Sequence, residues 1–465
     1  MNKGNFITVL DLGSSSVAMV VASKGEDGKL HLEDSIIAPS EGVVEGEIRN
    51  IEQVAKSITA AIRKLEERLS VKIAEVYTGI SGRHVRYASN TYYVYIGRDG
   101  EICREDVQRL VESMNNVQAP EGCRILHMSA QSYLVNDREE VADPVGMFGN
   151  KLDGVFNFII AENEHLSRLE RALQRVGLRS RGVLVNALAT AMAVTYRDER
   201  DLGVAVVDLG AGTTDVCIFA GGTLRYAGVI PLGVDLINKD LRSYGILERY
   251  VEELKVNYGS AVIDETEPQK RIKIPGYTPG KPQEITFRAL SEIIDARLKD
   301  IAKYVMDEIR YSGYEGKLAA GLVLTGGGAG LKDIDKFFGA ETKMEVRVAS
   351  AEVSVDEASV EVASDYRLST AIGLALQGFE GDGATAHAVK ESVAGGESRN
   401  VADTNAGADS RSDSKPDGSK KPRRGSVQPP PEEDVEEQPD DSTKKEGSIF
   451  RRIRKMFEVI EDNEI

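Results

Sequence analysis

The sequence predicts an α/β fold of two lobes, with a small inserted α+β subdomain and a tail of different character. Short β-branched runs alternate with amphipathic helical patterns over roughly the first 380 residues. One strand–turn–strand sequence near the N-terminus is repeated in the middle of the chain. The 465 residues exceed what one hydrophobic core usually supports, and the composition changes abruptly near residue 381.

Hydrophobic periodicity places the individual elements. Apolar residues recur at helical spacing in three segments, the third of which ends before Gly177, a residue type that favours the position just after a helix. The predicted helices are residues 51–69, 166–176 and 287–309. Residues 77–95 and 154–160 are predicted as strands of the inserted module.

Two segments share one pattern: a buried strand, an aspartate, an apolar residue, a glycine, and small hydroxyl residues that lead into a second strand. They are VLDLGSSS at residues 9–16 and VVDLGAGTTD at residues 206–215. A tight turn alone would explain either hairpin, whereas the pair favours two homologous lobes with a shared function.

The two hairpins are suited to phosphate groups. Glycine leaves backbone N–H groups open to an anion, and serine or threonine hydroxyls add short donors. Asp11 and Asp208 would repel phosphate unless a cation lies between them. They are therefore the candidate ligands of Mg²⁺, held mostly through water. Neither hairpin is a Walker A loop, because the chain contains no GxxxxGK[ST] sequence.

A third glycine cluster, residues 326–328, follows an apolar strand and precedes a predicted helix at residues 331–338. Three glycines at a strand end let a flat ring or an α-phosphate lie on bare backbone, and a helix N-terminus favours negative charge. An ordinary turn would explain this cluster equally well by itself. Two hairpins and the cluster in this order indicate a nucleotide site.

Composition argues against several functional classes. The formal net charge of −17 disfavours nucleic-acid binding. Three cysteines without a CxxC pair exclude a disulfide scaffold and cysteine-ligated zinc, and the five histidines show neither HExxH nor a metal-ligand spacing. No apolar run reaches the roughly 18 residues that span a bilayer, and the N-terminus lacks a signal-peptide pattern, so we expect a cytosolic chain.

At these motifs the sequence resembles the actin-like ATPase superfamily, which includes actin, MreB, the large heat-shock chaperones and sugar kinases. The two hairpins resemble its phosphate motifs, and LTGGGA at residues 324–329 resembles its adenosine motif. The resemblance implies a two-lobed actin-like fold that binds ATP and Mg²⁺, with Asp11 and Asp208 at the metal. The implied nucleotide contacts are Asp11, Gly13, Ser14, Ser15, Ser16, Asp208, Gly210, Gly212, Thr213, Thr214, Glu252, Lys255, Gly326, Gly327 and Gly328.

Within this superfamily the chain is similar to the FtsA family of bacterial cell-division proteins. The similar stretches include GVVEGEIRN (42–50), GISGRHV (79–85), ILHMSAQSYLVN (125–136) and DPVGMFGNKL (143–152). The similarity implies that one small actin subdomain is missing and that a different one is inserted elsewhere. The implied division is a first-lobe core at 1–85 and 165–201, an inserted subdomain at 86–164, a second-lobe core at 202–240 and 301–362, its small subdomain at 241–300, and a closing first-lobe helix at 363–380.

The chain departs from the superfamily pattern at two places. Asn186 occupies the position where relatives with robust turnover have glutamate or glutamine to orient the attacking water, and its side chain is shorter. We therefore expect at most weak ATPase activity without a loss of ATP binding. The second departure is PLGVD at residues 231–235, where paired glycines are usual.

The tail has two parts. Residues 381–447 contain no aromatic residue, no leucine and no isoleucine, which predicts a disordered linker. Apolar and basic residues then share one amphipathic helical pattern, which predicts that residues 448–465 lie in the plane of an anionic membrane. Docking of this helix on the body or on another protein remains an alternative. The predicted membrane contacts are Ile449, Phe450, Arg451, Arg452, Ile453, Arg454, Lys455, Met456, Phe457 and Ile460.

The similarity implies an adaptor that binds ATP, self-associates into filaments and sits peripherally on the cytoplasmic face of the cell membrane at the division site. Its expected partners are the C-terminal peptide of the tubulin-like protein FtsZ, the anionic membrane surface and other division proteins. Two alternatives remain open. One is a pilus-assembly relative with the same body, and the other is a soluble ATP-dependent sugar or acid kinase of the superfamily.

Overall fold

The computed structural model describes residues 6–380, apart from residues 98, 116, 264–269 and 278–281. The predicted linker at 381–447 and the predicted amphipathic helix at 448–465 lie outside the described residues. In the part of the chain that is described, no helix combines the length and the apolar character needed to cross a membrane.

The described chain forms three larger sheets and two short strand pairs. In chain order the strands are β1 (Ile7–Leu12), β2 (Ser16–Lys24), β3 (Leu30–Pro39), β4 (Val43–Val44), β5 (Glu47–Ile48), β6 (Glu75–Ile80), β7 (Val85–Tyr95), β8 (Cys123–Val135), β9 (Glu139–Val141), β10 (Lys151–Glu162), β11 (Arg179–Val185), β12 (Val204–Leu209), β13 (Thr214–Ala220), β14 (Thr223–Ile230), β15 (Arg271–Ile274), β16 (Gln283–Thr286), β17 (Leu322–Thr325) and β18 (Val346–Val348). The helices are α1 (Ile51–Leu69), α2 (Arg104–Asn115), α3 (Asn163–Arg175), α4 (Asn186–Val194), α5 (Arg197–Leu202), α6 (Asp235–Ser243), α7 (Glu248–Tyr258), α8 (Phe287–Tyr311), α9 (Ile334–Thr342), α10 (Val360–Ala363) and α11 (Ser369–Glu380).

Two of the sheets repeat one topology. The first-lobe sheet has the order β11–β6–β1–β2–β3, and the second-lobe sheet has the order β18–β17–β12–β13–β14. In each, an antiparallel three-strand meander begins with a hairpin and is extended by parallel strands on the side of its first strand. This shared architecture agrees with the prediction of two related lobes.

Side-chain caps and apolar stripes explain the long helices. Asn50 accepts hydrogen bonds from two backbone N–H groups at the start of α1, and Thr286 accepts one at the start of α8. Gly177 has a φ of +78° just after α3, a left-handed conformation that glycine adopts at low cost. Each helix turns its apolar stripe towards a sheet, as the periodicity predicts.

The inserted subdomain is a four-stranded antiparallel sheet, β7–β10–β8–β9, covered by α2. It also contacts β14 of the second lobe through three hydrogen bonds. Asn157 Nδ2 donates to the carbonyl of Leu224 at 2.8 Å, and the Tyr87 hydroxyl donates to the carbonyl of Arg225 at 2.6 Å. The Arg225 guanidinium donates to the carbonyl of Gln131 at 3.0 Å. The subdomain is therefore attached to both lobes.

A continuous apolar core joins the two lobes. It contains residues of both five-stranded sheets and of α4 and α11, and these two helices pack against each other between the sheets. Further apolar clusters lie between α1 and the first-lobe sheet, and under α2 in the inserted subdomain. Burial of these surfaces is the main favourable term in folding.

Two predicted elements differ from the structure. Residues 77–95 are not one strand of the inserted module, because β6 belongs to the first-lobe sheet and β7 begins only at Val85. Residues 331–338 are not a helix directly after the glycine cluster. A 3₁₀ turn, Gly327–Gly330, comes first, and α9 begins at Ile334. The glycines themselves thus form the turn that follows β17.

Candidate functional site

The first hairpin turns sharply at the end of β1. The backbone N–H of Gly13 donates to the carbonyl of Ser16 at 2.9 Å, and Asp11 lies opposite Ala18 in the β1–β2 ladder. A Cβ atom at Gly13 would lie 2.9 Å from that same carbonyl oxygen, closer than real Cβ contacts. The turn therefore requires glycine and leaves its backbone and the hydroxyls after it facing the space between the lobes.

The second hairpin repeats the close approach of its glycine to the returning strand, although the N–H of Gly210 donates to the carbonyl of Asp208 at 3.1 Å. Gly210 lies in the same place after β12, and a Cβ atom there would lie 2.8 Å from the carbonyl oxygen of Thr213. Asp208 occupies the position of Asp11, but its partner across the ladder is Asp215 rather than an alanine. The second hairpin therefore carries one carboxylate more than the first.

The two turns approach each other across the interlobe cleft. A side chain at Gly212 would overlap Ser14, whose Cβ atom would lie only 2.8 Å from the added carbon. Ser14 Oγ also accepts a hydrogen bond from the backbone N–H of Gly46, in the β4–β5 turn, at 3.2 Å. The cleft that these turns border has a volume of about 770 Å³.

Asp11 is fixed by the helix between the lobes. Asn186, the first residue of α4, donates from Nδ2 to Asp11 Oδ1 at 3.1 Å. The other amide atom, Oδ1, packs against Gly79, where any side chain would collide with it. The short side chain of Asn186 is therefore held in place and orients the carboxylate of Asp11.

Hydroxyl groups fix the other two carboxylates. Asp208 Oδ2 accepts hydrogen bonds from Thr190 on α4 at 3.1 Å and from Thr370 on α11 at 2.9 Å. Asp215 Oδ1 accepts one from Ser81 of the first lobe at 2.6 Å. Neutral donors orient these groups without neutralising their charge.

The three carboxyl groups lie in the cleft, where Asp215 is buried and Asp11 and Asp208 are partly buried. Burial, with the nearby Asp208 charge, raises the pKa of Asp11 to about 7, although the hydrogen bond from Asn186 opposes the shift. Burial and the Asp208 charge likewise raise the pKa of Asp215 to about 8. Burial raises the pKa of Asp208 as well. A divalent cation among these groups would stabilise their ionised forms.

The glycine cluster forms a further wall of the cleft, beside the second hairpin. Gly326 has a φ of +81°, and a Cβ atom there would overlap Asp208 and approach the Leu209 backbone N to 3.0 Å. At Gly328 an added Cβ atom would lie 2.7 Å from Val234. The wall is therefore bare backbone beside the second carboxylate, a surface on which a flat group can lie.

The structure gathers most of the residues that the sequence points to. Asp11, Gly13, Ser14, Ser15, Ser16, Asp208, Gly210, Gly212, Thr213, Glu252, Lys255, Gly326, Gly327 and Gly328 all line the cleft. Glu252 and Lys255 form an ion pair at 2.8 Å there. Thr214 does not line the cleft, because it is buried and its hydroxyl donates to the carbonyl of Leu232. The predicted membrane contacts, from Ile449 to Ile460, lie outside the described residues.

Sequence reasoning missed several cleft residues. Asp215 ends the very motif that identifies the second hairpin, and its place two residues after Thr213, on the same side of an extended chain, is a usable signal. Thr370 on α11 lines the cleft, and the packing of α11 against α4 brings its hydroxyl and that of Thr190 to Asp208. No local pattern marks Tyr366 or Arg367, which also line the cleft.

A magnesium nucleotide fits this donor set. Carboxylate oxygens, in part through water, are the ligands that Mg²⁺ prefers. The tight glycine turns present backbone N–H groups and hydroxyls on two sides, which suits phosphate oxygens. Asp11 and Asp208 would hold the metal, and the cation would offset the burial that raises the pKa of both groups and the Asp208 charge that adds to the shift of Asp11.

Comparison with known proteins reveals extended similarity. Residues 205–373 match the sequence family described as cell division protein FtsA, and residues 82–160 match the SHS2 domain inserted in FtsA. Cell division protein FtsA of Pseudomonas aeruginosa is 33% identical over 70% of this chain and 78% of its own length. The corresponding protein of Neisseria meningitidis serogroup B is 33% identical over 79% of this chain and 89% of its own length.

A solved structure agrees with this fold. The PilM–PilN type IV pilus biogenesis complex has a chain that aligns with 81% of this chain and 99% of its own length, at 17% sequence identity and a TM-score of 0.54. At that identity the likeness concerns the fold alone, and it agrees with the two-lobed actin-like fold that the sequence predicts.

Proposed function

The chain belongs to the FtsA family of cell division proteins, and on that premise we propose that it is an ATP-binding adaptor that tethers FtsZ filaments to the membrane. In this proposal Mg-ATP occupies the interlobe cleft and holds the lobes closed. The closed body self-associates, and the tail helix attaches the filament to the cytoplasmic face of the membrane. Family membership favours this function over the pilus-assembly and kinase alternatives.

One observation carries the nucleotide part of the proposal. Two hairpins with the same glycine turn, one from each lobe, meet across a cleft whose third wall is bare glycine backbone. Phosphates between the hairpins would contact both lobes at once, so their binding energy would favour the closed arrangement. Asp11, Asp208 and Asp215 are all within this arrangement, which suits a nucleotide that arrives with its Mg²⁺.

Calorimetry tests this part directly. We expect the full chain to release or absorb heat on titration with ATP in magnesium buffer, and to bind much more weakly when EDTA replaces the magnesium. Titration with inorganic phosphate serves as the control for unspecific anion binding. If no binding is detected in magnesium buffer, the proposed function is wrong.

Membrane attachment rests on the tail pattern. Burial of Phe450, Ile453 and Phe457 in the interfacial region would contribute about 1.5–3 kcal/mol each, and each basic residue near anionic lipid about 1 kcal/mol. A single helix of this size binds reversibly, so assembly of many copies would strengthen attachment by avidity. In this proposal, self-association links nucleotide binding in the cleft to attachment of the tail helix to the membrane.

Co-sedimentation with vesicles that contain anionic lipid tests the attachment. We expect Phe457→Glu to abolish binding, because a buried carboxylate on the apolar face is costly, while Phe457→Leu should retain it. Nucleotide affinity should be the same in both variants. Undiminished vesicle binding after deletion of residues 448–465 would contradict the proposal, and loss of ATP binding in Phe457→Glu would indicate that the helix docks on the body.

The partner surface that we propose for the FtsZ C-terminal peptide is the small subdomain at about residues 241–300. Its β15 strand carries exposed cations, and Lys273 lies 3.8 Å from Glu284 with 74% of its side chain exposed. An acidic peptide could compete with Glu284 for this cation. Lys273→Glu should weaken peptide binding in fluorescence anisotropy, whereas the exposed Lys24→Glu on β2 should not. Equal affinities would exclude this strand from the partner surface.

A further inference from the structure

A second polar cavity lies where the inserted subdomain joins the first lobe. This neck cavity has a volume of about 320 Å³ and is lined by four arginines, two glutamates and two histidines. The chain enters the subdomain beside His84, just before β7, and leaves it beside His165, in the first turn of α3. Both connections between the first lobe and the subdomain therefore border the neck cavity.

The two imidazole rings in its lining are packed together and lack hydrogen-bond partners. Their centroids are 3.9 Å apart and their planes are inclined by 5°. His84 is only 3% exposed, and within the described residues neither of its ring nitrogens has a hydrogen-bond partner. His165 Nδ1 is likewise buried without one. Buried polar atoms without partners are costly and rare, so they commonly mark the place of a group that the structure does not contain.

Cations outnumber anions in the lining of the neck cavity. Glu47 and Glu162 supply two carboxylates, whereas four side chains supply guanidinium groups, so the lining carries two excess positive charges when both histidines are neutral. The four arginines are Arg49, Arg83, Arg86 and Arg168. The surplus favours an anion in the cavity.

Ion pairs with the glutamates leave many of the arginine donors available. Arg83 Nε lies 2.7 Å from one oxygen of Glu47, and an Arg49 nitrogen lies 2.8 Å from the other, so two cations share one carboxylate. In the described part of the chain these pairs engage one nitrogen of each guanidinium, which has five N–H donors. Arg168 pairs with Glu164, which is 69% exposed and does not line the cavity. Exposed ion pairs contribute little, so an anion can compete for Arg168.

We propose that the neck cavity binds a small dianion of the phosphate class, either inorganic phosphate or the phosphoryl group of a small monoester. Guanidinium groups bind phosphate oxygens through paired N–H donors. The stacked rings suit the same ligand, because N–H groups of parallel rings lie side by side and can reach two oxygens of one anion. His165 also lies at the N-terminal end of α3, where the helix dipole favours negative charge.

The buried ring of His84 provides a signature of such an anion. Burial, with the neighbouring His165, lowers the pKa of His84 to about 4, although the charge of Glu47 opposes the shift. A phosphate beside the ring would favour its charged form and raise this pKa. A ring with a purely structural role would not respond to phosphate in this way.

The location gives the site a consequence for the nucleotide cleft. The β4–β5 turn, which carries Glu47, contacts the first phosphate hairpin through the hydrogen bond from Gly46 to Ser14. The loop before β7 begins at Ser81, which donates to Asp215 in the cleft. An anion in the neck cavity would fix both connections and the base of the inserted subdomain together.

Titration of the full chain with inorganic phosphate tests the proposal. The protein is kept in phosphate-free buffer and saturated with Mg²⁺ and a non-hydrolysable ATP analogue, so that the interlobe cleft is occupied and releases no phosphate. We expect saturable binding in calorimetry, with sodium chloride at equal ionic strength as the control. Glycerol phosphate, titrated in the same way, distinguishes a free ion from a monoester as the ligand, because only a site open to monoesters binds both.

Nuclear magnetic resonance of isotope-labelled histidine provides the second measurement. The chain has only five histidines, so the ring signals can be assigned with single variants. We expect phosphate to shift the signals of His84 and His165 and to raise the pKa of His84, while the signals of His31 on β3 stay unchanged.

Variants of exposed arginines separate binding from folding. Arg83→Gln and Arg168→Gln should each lower the phosphate affinity by more than about 10-fold, because a charge-assisted hydrogen bond is lost. Arg63→Gln, at an exposed position of α1, is the matched control and should leave the affinity unchanged. The melting temperature of each variant without phosphate shows whether it is folded, and if Arg83→Gln is not, Arg168→Gln decides the question.

Three results would overturn the proposal. These are no saturable binding up to tens of millimolar phosphate, equal affinities in the wild type and both cavity variants, or histidine signals that do not respond to phosphate. The affinity for the ATP analogue, measured in the same samples, keeps this test apart from the proposed function. If the analogue fails to bind while phosphate still binds in a way that depends on Arg83, only the proposed function is contradicted.

Discussion

The two hairpins that face the cleft share a backbone and differ in charge. In both, a glycine after the strand closes a turn against the carbonyl three residues later. The first hairpin has one carboxylate and three serines, and alanine faces Asp11 across its ladder. In the second, Asp208 and Asp215 face each other. The repeat therefore conserves the turn, while the charge is concentrated in the second lobe.

This asymmetry separates two tasks. The first hairpin supplies mainly neutral donors, which suit phosphate oxygens, and the second supplies most of the negative charge, which suits a cation. Asp208 lies at the centre, because its charge raises the pKa of both other carboxyl groups. The following predictions test this division, in order of decreasing expected effect.

Removal of the central carboxylate should have the largest effect. Loss of a charged partner from a buried ionic site costs roughly 3 kcal/mol or more, so Asp208→Ala should weaken Mg-ATP binding by about 100-fold or more. Asp11→Ala should weaken it less, and Asp137→Ala, at an exposed turn, should not change it. Calorimetry provides the affinities. Equal losses for Asp208→Ala and Asp11→Ala would contradict the asymmetry.

The contact between the hairpins should come next. In Gly212→Val the new side chain would overlap Ser14, and overpacking of this kind costs about 1–3 kcal/mol. We expect ATP affinity to fall by roughly 10- to 100-fold, because the turns cannot approach. Gly97→Val, at a site where an added Cβ meets nothing within 4 Å, is the matched control. Unaltered affinity in Gly212→Val would show that nucleotide binding does not need the closed hairpins.

The pH dependence of stability should be smaller. The pKa values of Asp11 and Asp215 rise from 3.8 to about 7 and about 8 on folding, so the folded protein binds more protons than the unfolded chain in this window. Without Mg²⁺, the free energy of unfolding should therefore fall as pH rises from about 4 to 8.

Urea unfolding at pH 5 and at pH 8 measures this difference. Asp215→Asn should reduce it, because the substituted amide does not titrate, and added Mg²⁺ should reduce it because the cation favours the ionised groups. A stability that rises with pH in both the wild type and Asp215→Asn would contradict the pKa shifts.

The smallest expected effect is on turnover. The wild type should hydrolyse ATP well below 1 s⁻¹, against a median of about 10 s⁻¹ for enzymes. Asn186→Gln supplies the longer amide and should raise the rate a few-fold, equivalent to roughly 1 kcal/mol or less. A coupled phosphate-release assay provides the rates, with Asn186→Ala as the control. A wild-type rate at the median would refute the interpretation of Asn186.

Features that depend on local chemistry were predictable from the sequence. The glycine and aspartate of each hairpin, and the apolar stripe of α1, follow from backbone sterics and periodicity within a few residues. Features that depend on packing between segments far apart in the sequence were not predictable. His84 and His165 show no metal-ligand spacing, yet the inserted subdomain brings them into contact. The break at Ser81 between β6 and β7 was missed because strand-forming residues continue on both sides of it.

The hydrogen bonds from the inserted subdomain to β14 have a mechanical consequence. This subdomain is inserted in the first lobe and is also hydrogen-bonded to the second lobe through Asn157 and Tyr87. When the lobes move apart, the subdomain must either break these hydrogen bonds or move together with β14. A molecule that binds the outer face of the subdomain would therefore change the rate at which the bound nucleotide is released, without contacting the interlobe cleft.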